Sequence, residues 1–261
     1  MQKKHLPLLL AVLAFAVTFF VYWPAVHNGF VSWDDEANFL NNPAYRGLGG
    51  TQLRWMWTTL HMGHYIPVTW MTLGFDYVLW GMDPRGYHLT NLLLHSLNAA
   101  FFYLLVSWLF RKYASSSESA VMEPAALAAA LFFSLHPLRV ESVAWVTERR
   151  DLLAGVFFFG ALAAYFKYVS LRRDGESAVF GEAGRSRRWY GVSVALFALA
   201  LLSKATVLML PVVLLLFDLY PLRRLRREGD SPPKLTGGRL LIEKVPFLVL
   251  SLAAGVVLLA A

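Results

Sequence analysis

The chain has 261 residues, of which 57% are hydrophobic, 15% aromatic and only 16% charged, with a net charge of +7 and a mean hydropathy of +0.49. Soluble domains carry roughly 25% charged residues, so this composition excludes an ordinary water-soluble globule and points to a membrane protein. With no cysteine there is no disulfide framework, thiolate metal site or thiol nucleophile, and the basic residues fall in short clusters between apolar runs, which argues for a membrane rather than a nucleic-acid partner.

Uncharged or nearly uncharged runs cover Leu6 to Trp23, Tyr87 to Phe110, Pro124 to Leu138, Leu152 to Leu171, Trp189 to Phe217 and Val245 to Ala261. A spanning helix needs about 20 apolar residues, so several of these qualify outright. The first follows MQKKH and runs into bulky FFVYWP without a small-residue cleavage pattern, which reads as a retained signal anchor. The stretch Trp189 to Tyr220 divides near Ser203 and Lys204 into two short spans, giving seven; as one span it would carry RRLRR, from Arg223, to the outer side. With the N-terminus cytoplasmic, Lys3, Lys4, Arg111, Lys112 and the groups at 167–188 and 223–244 lie inside, as the positive-inside rule requires. The expected fold is thus an all-α polytopic bundle.

On this topology the outer face receives a long first loop (Pro24 to Gly86), a short second loop (Arg139 to Asp151) and a turn at Lys204. Trp55, Trp57, Tyr65, Trp70, Phe75, Tyr77 and Trp80 recur through the first loop. Trp and Tyr favour the headgroup layer, so one or two interfacial helices are expected there, with a short span at Val68 to Trp80 as the alternative. The connections at 115–119, 172–188 and 227–238 read as solvated loops. The final apolar run has no polar flank, the pattern of a piece of a longer protein.

Ionisable groups in or against a membrane are costly and so are functional candidates. In FVSWDDEANFLNN, Asp34, Asp35 and Glu36 stand side by side; their mutual repulsion favours a proton, a cation or a basic partner, although a solvated loop would also account for them. The second loop crowds Arg139, Glu141, Glu148, Arg149, Arg150 and Asp151 into HPLRVESVAWVTERRDLLAG. Lys204 is a lone cation between apolar runs, suited to a phosphate or to snorkelling. His88, Asn91, His95 and Asn98 share one helix side, where interhelical hydrogen bonding is the commoner use. His61 and His64 are weak metal candidates. Together these charges suit transfer of a group from a lipid phosphate to an outside acceptor, with a carboxylate base and cations on the departing phosphate.

The segments FVSWDDEANFLNNP, HYIPVTWMTLGFDYVLWGMDPRGYHLTNLLLHSLNAAFFYLL, HPLRVESVAWVTERRDLLAGVFFF and LLSKATVLMLPVVLLLFDLY resemble, in order, the membrane half of the transmembrane and tetratricopeptide-repeat O-mannosyltransferases and their bacterial relatives, within the GT-C superfamily of polytopic glycosyltransferases. The resemblance implies that residues 1–261 are the N-terminal part of such a transferase domain, whose first extracytoplasmic loop is 24–86. It implies a polyprenyl-phosphate-linked sugar as donor, a protein or glycan acceptor, and a site between outer loops and membrane, in a bacterial inner membrane with the active loops periplasmic. The acidic pair of the family falls on Asp34 and Asp35, as general base or as ligands of a divalent cation such as Mg or Mn. Its second-loop motif falls on His136, Glu141, Arg149 and Asp151, and its later lysine on Lys204, so that Arg149 and Lys204 would hold the donor phosphate. Arg150 departs from the family, whose members carry a small residue there. The rival readings are a polytopic scaffold or assembly factor, and a transporter.

Overall fold

The computed structural model describes residues 5–113, 119–174, 182–225 and 236–260. The connections expected at 115–119, 172–188 and 227–238 lie wholly or partly outside those residues. The chain is all-α, as composition and periodicity indicate. In order come α1 (Leu6–Tyr22), α2 (Gly50–Thr58), α3 (Pro67–Trp80), α4 (Pro84–Tyr113), α5 (Ser119–Leu135), α6 (Arg139–Ala144), α7 (Arg149–Asp174), α8 (Glu182–Leu201), α9 (Leu210–Leu219), α10 (Gly237–Ile242) and α11 (Val245–Ala260). Among the described residues three segments are long and apolar enough to cross a membrane, Leu6–His27, Pro84–Tyr113 and Val146–Arg172; Val121–Leu135, Ala205–Leu219 and Val245–Ala260 are shorter apolar helices.

Small side chains decide which helices meet. Ala11 and Ala14 of α1 pack with Ala100 and Tyr103 of α4 and Ala126 and Ala130 of α5, a seam that lets backbones approach closely where lipid supplies no hydrophobic drive between helices. A second core joins α7, α8, α9 and α11 through Tyr165, Phe166, Phe197, Leu214 and Phe247. The polar stripe of α4 stitches the bundle. His95 Nε2 lies 2.8 Å from the Ser134 carbonyl, Asn91 donates to the Trp145 carbonyl at 3.1 Å and Asn98 donates to that of Leu152 at 2.8 Å.

The long apolar stretch after Trp189 does break at Ser203 and Lys204, where the backbone of Lys204 turns extended. A helix end leaves carbonyls without partners. Here the first loop supplies them: Val68 N–H donates to the Leu202 carbonyl at 3.2 Å and Thr69 Oγ1 to that of Ser203 at 3.0 Å. The loop forms the two expected short helices, α2 and α3. Helix α3 buries Trp70, Leu73 and Asp76 while exposing Phe75, Val78 and Leu79, the division expected of a helix lying on a membrane surface.

The bundle therefore has two polar ends. At one lie the first loop, the start of α7 and the turn at Lys204. At the other, a buried ionic cluster closes the bundle. Asp218 is 0% exposed and bonds Arg224 at 3.0 Å and Lys244 at 2.6 Å, with the Tyr165 hydroxyl donating to it at 2.7 Å.

Candidate functional site

The WDDE segment starts as a helical turn and continues as a π-helix over Glu36–Leu40. Asp35 faces inward and is 0% exposed. One of its oxygens accepts the Val31 N–H at 3.0 Å, and the other accepts the Thr147 N–H at 3.1 Å and the Thr147 hydroxyl at 2.7 Å. Asp35 thereby clamps the first loop to the segment Val146–Glu148, and Asn38 adds a 3.1 Å bond to Thr147 Oγ1. Asp34, its neighbour, is half-buried and has no hydrogen-bond or ion-pair partner among the described residues. Of the expected acidic pair, one member is a clamp and the other is open.

The second loop divides its arginines in the same way. Arg149 is 0% exposed, 2.7 Å from Asp76 of α3, and donates to Asn91 Oδ1 and, at 2.8 Å, to the Tyr87 carbonyl. Burial pushes the Asp76 carboxyl above its ordinary value, against the opposing pull of Arg149 and the Thr90 hydroxyl. In this position Arg149 ties the first loop to α4, with one guanidinium nitrogen, Nη1, buried without a hydrogen-bond partner. Arg150 points elsewhere and meets Glu148 at 2.6 Å.

Glu148 is the hub of the open cluster. Lys204 Nζ lies 2.8 Å from it and 2.7 Å from Asp151, so the turn at Lys204 and the second loop meet here. His64 sits within the electrostatic reach of the whole group. Burial, then the cations of Arg150 and Lys204, hold its pKa below the usual imidazole value, while Glu148 and Asp34 pull it upward. The remaining motif residues are peripheral: His136 Nδ1 accepts the Leu138 N–H at 3.3 Å in the turn before α6, and Glu141 is exposed in the first turn of α6.

Two cavities adjoin this end. One, of about 350 Å3, is lined by Asp151, Arg139, Ser142 and Asn98 on its polar side and by Phe158 and Met209 among its apolar walls. The Asn98 Oδ1 is buried without a partner, and the Arg139 guanidinium lies 4.6 Å over the Phe133 ring. The other, about 210 Å3, runs between α8 and α11 beneath Tyr65.

The donor set does not fit the divalent cation that Asp34 and Asp35 were expected to share. Both Asp35 oxygens are taken by N–H and O–H donors, Glu148 and Asp151 are paired with Arg150 and Lys204, and no group of three His, Asp or Glu side chains suited to a metal occurs among the described residues.

Asp76, Thr147 and the hub role of Glu148 escaped sequence reasoning. An acidic residue inside the apolar α3 segment VTWMTLGFDYVLW was the one available signal for Asp76.

No family model and no solved structure matches the chain. Among curated proteins it is 29% identical over 177 residues to the protein O-mannosyl-transferase Tmtc3 of Drosophila melanogaster, covering 62% of this chain and 18% of that protein. It is 35% identical over 144 residues to human TMTC4, covering 54% and 19%, and 34% identical over 121 residues to Xenopus laevis tmtc2, covering 44% and 13%. The chain spans less than a fifth of the length of these relatives. The homologues of this helical membrane protein are the TMTC protein O-mannosyl-transferases, at moderate identity and over about half of its length.

Proposed function

We propose that this chain is the membrane part of a glycosyltransferase that moves a sugar, mannose by the names of its relatives, from a polyprenyl-phosphate donor to a protein hydroxyl on the extracytoplasmic face. The observation that carries the reading is an open carboxylate at the same end of the bundle as an ion-pair network holding two cations, Lys204 and Arg150. Asp34 is unpartnered, while Lys204, Arg150 and Glu148 surround the same His64.

Asp34 accepts the proton of the acceptor hydroxyl as its oxygen attacks the anomeric carbon. The bond from that carbon to the phosphate oxygen breaks with inversion, and its electron pair leaves with the phosphate. Lys204, which pairs with Asp151, and Arg139, which with Asp151 lines the 350 Å3 cavity, offset the charge that develops there, and the aromatic wall of that cavity receives the prenyl chain. Fixed cations aimed at developing charge are worth most where water is excluded. Asp35 and Arg149 hold the first and second loops in register and touch neither reactant.

The test is sugar transfer by the full-length protein from polyprenyl-phosphate mannose to serine- and threonine-containing peptides. Asp34→Asn is expected to lower kcat by about 10²- to 10⁴-fold, the range for removing a general base, with the thermal transition unchanged. A normal rate in that variant would overturn the assignment.

A further inference from the structure

A groove opening toward the opposite end of the bundle meets the 350 Å3 cavity at Phe159, and its basic mouth is not used by the proposed reaction. It lies between α4 and α7, has a volume of about 420 Å3, and is walled by Phe101, Leu105 and Trp108 of α4 and Phe159, Ala163 and Phe166 of α7. Its mouth is polar and basic. Lys167 and Ser170 line it, and Lys112 Nζ sits 2.9 Å from Ser170 Oγ and 5.2 Å above the Trp108 ring. Lys167 is exposed and has no carboxylate within ion-pair distance among the described residues. Glu123, the acidic side chain near this end of α4, already binds Arg111, Ser107 and Tyr103.

The dimensions fit within one leaflet. Phe101 to Trp108 and Phe159 to Phe166 each rise by about 1.5 Å per residue to roughly 10 Å of apolar wall, within the about 15 Å of half a hydrocarbon core about 30 Å thick. Apolar walls ending in two lysines describe the part of a chain next to its headgroup and the phosphate that follows. Basic pockets between membrane helices take anionic headgroups in this manner.

We propose that this groove is a binding site for an anionic phospholipid in the leaflet opposite the candidate site, with one acyl chain between α4 and α7 and the headgroup phosphate on Lys167 and Lys112. The Trp108 ring, stacked on Phe166 at 5.0 Å between centroids, forms the floor beneath the headgroup.

The test is native mass spectrometry of the chain released from vesicles of equal parts phosphatidylglycerol and phosphatidylcholine. The unaltered chain is expected to retain one phosphatidylglycerol, and Lys167→Gln to lower its preference over phosphatidylcholine about fivefold, the ratio per basic residue near an anionic surface. Ala163→Trp, which fills the groove, is expected to lose the bound lipid while remaining monodisperse. Lys167 is exposed, so its substitution leaves the fold intact and keeps the test decisive. Equal retention of the two lipids by the unaltered chain overturns the proposal. So does an equal loss of preference in Arg239→Gln, which removes an exposed cation of α10 from outside the groove.

Discussion

If Arg149 is a strut, its removal should be felt in the fold before it is felt in the chemistry. Its guanidinium is wholly buried, ion-paired to Asp76 and bonded to Asn91 and the Tyr87 carbonyl. Breaking a buried ion pair by deleting one partner costs about 3–5 kcal/mol, because the other charge is left without compensation. The two further acceptors lose about 1 kcal/mol each. Arg149→Met and Asp76→Asn should therefore each lower stability by about 3–5 kcal/mol. The double variant should cost clearly less than their sum, since neither charge is then stranded, and the coupling should exceed about 2 kcal/mol. Arg149→Lys should recover little, because a point-like ammonium lacks the spread of the guanidinium fork whose separate nitrogens reach acceptors on two helices. The measurement is reversible unfolding in detergent micelles for the four members of the cycle. Additive losses, or an Arg149→Met protein that unfolds like the parent while its affinity for donor lipid falls, would refute the strut and return Arg149 to the phosphate.

Three further outcomes follow from the same geometry. Asp35→Ala strands the Val31 and Thr147 N–H groups and should cost about 1–3 kcal/mol per buried donor left unpaired, read as early proteolysis at the first loop. Gly74→Ala should disrupt the packing of α3 on that loop. The new Cβ would lie 2.7 Å from the Gly47 carbonyl oxygen, a backbone atom that cannot step aside, so a loss of about 1–3 kcal/mol is expected from overpacking in unfolding measurements. His64 makes the candidate-site end acid-sensitive. Burial and two cations depress its folded pKa below the ordinary value of 6.5, so its contribution is fully present above pH 6.5 and is lost as pH falls through the folded value. His64→Gln should flatten the stability profile in that window, and an unchanged slope would show that His64 is not the titrating group.

The layout of the bundle was legible in the sequence because lipid imposes simple rules. Runs of apolar residues gave the helices, and the distribution of lysine and arginine required the break at Ser203 and Lys204. Lys204 itself stood out as a cation in an apolar stretch, and the structure brings it to Glu148 and Asp151. The allocation of roles within adjacent pairs was not legible. Asp34 and Asp35, like Arg149 and Arg150, are neighbours on helical backbone, and consecutive residues of a helix point about 100° apart. Which member faces the core depends on partners remote in sequence: Thr147 for Asp35 and Asp76 for Arg149. Composition and spacing do not encode those contacts.

The two pairs resolve by one principle. In each, the inward member is held by partners that fix the outward member in place, Asp35 fixing Asp34 and Arg149 fixing Arg150. A buried charge held by several partners is a good anchor, because moving it would strand those partners in turn. A half-buried charge one residue away inherits that rigidity without its cost. A charged motif therefore need not mark reacting groups at every position. It also retains the anchors, and in this chain burial separates the two: substitutions at Asp35 and Arg149 should fail in folding, and those at Asp34 and Lys204 in turnover.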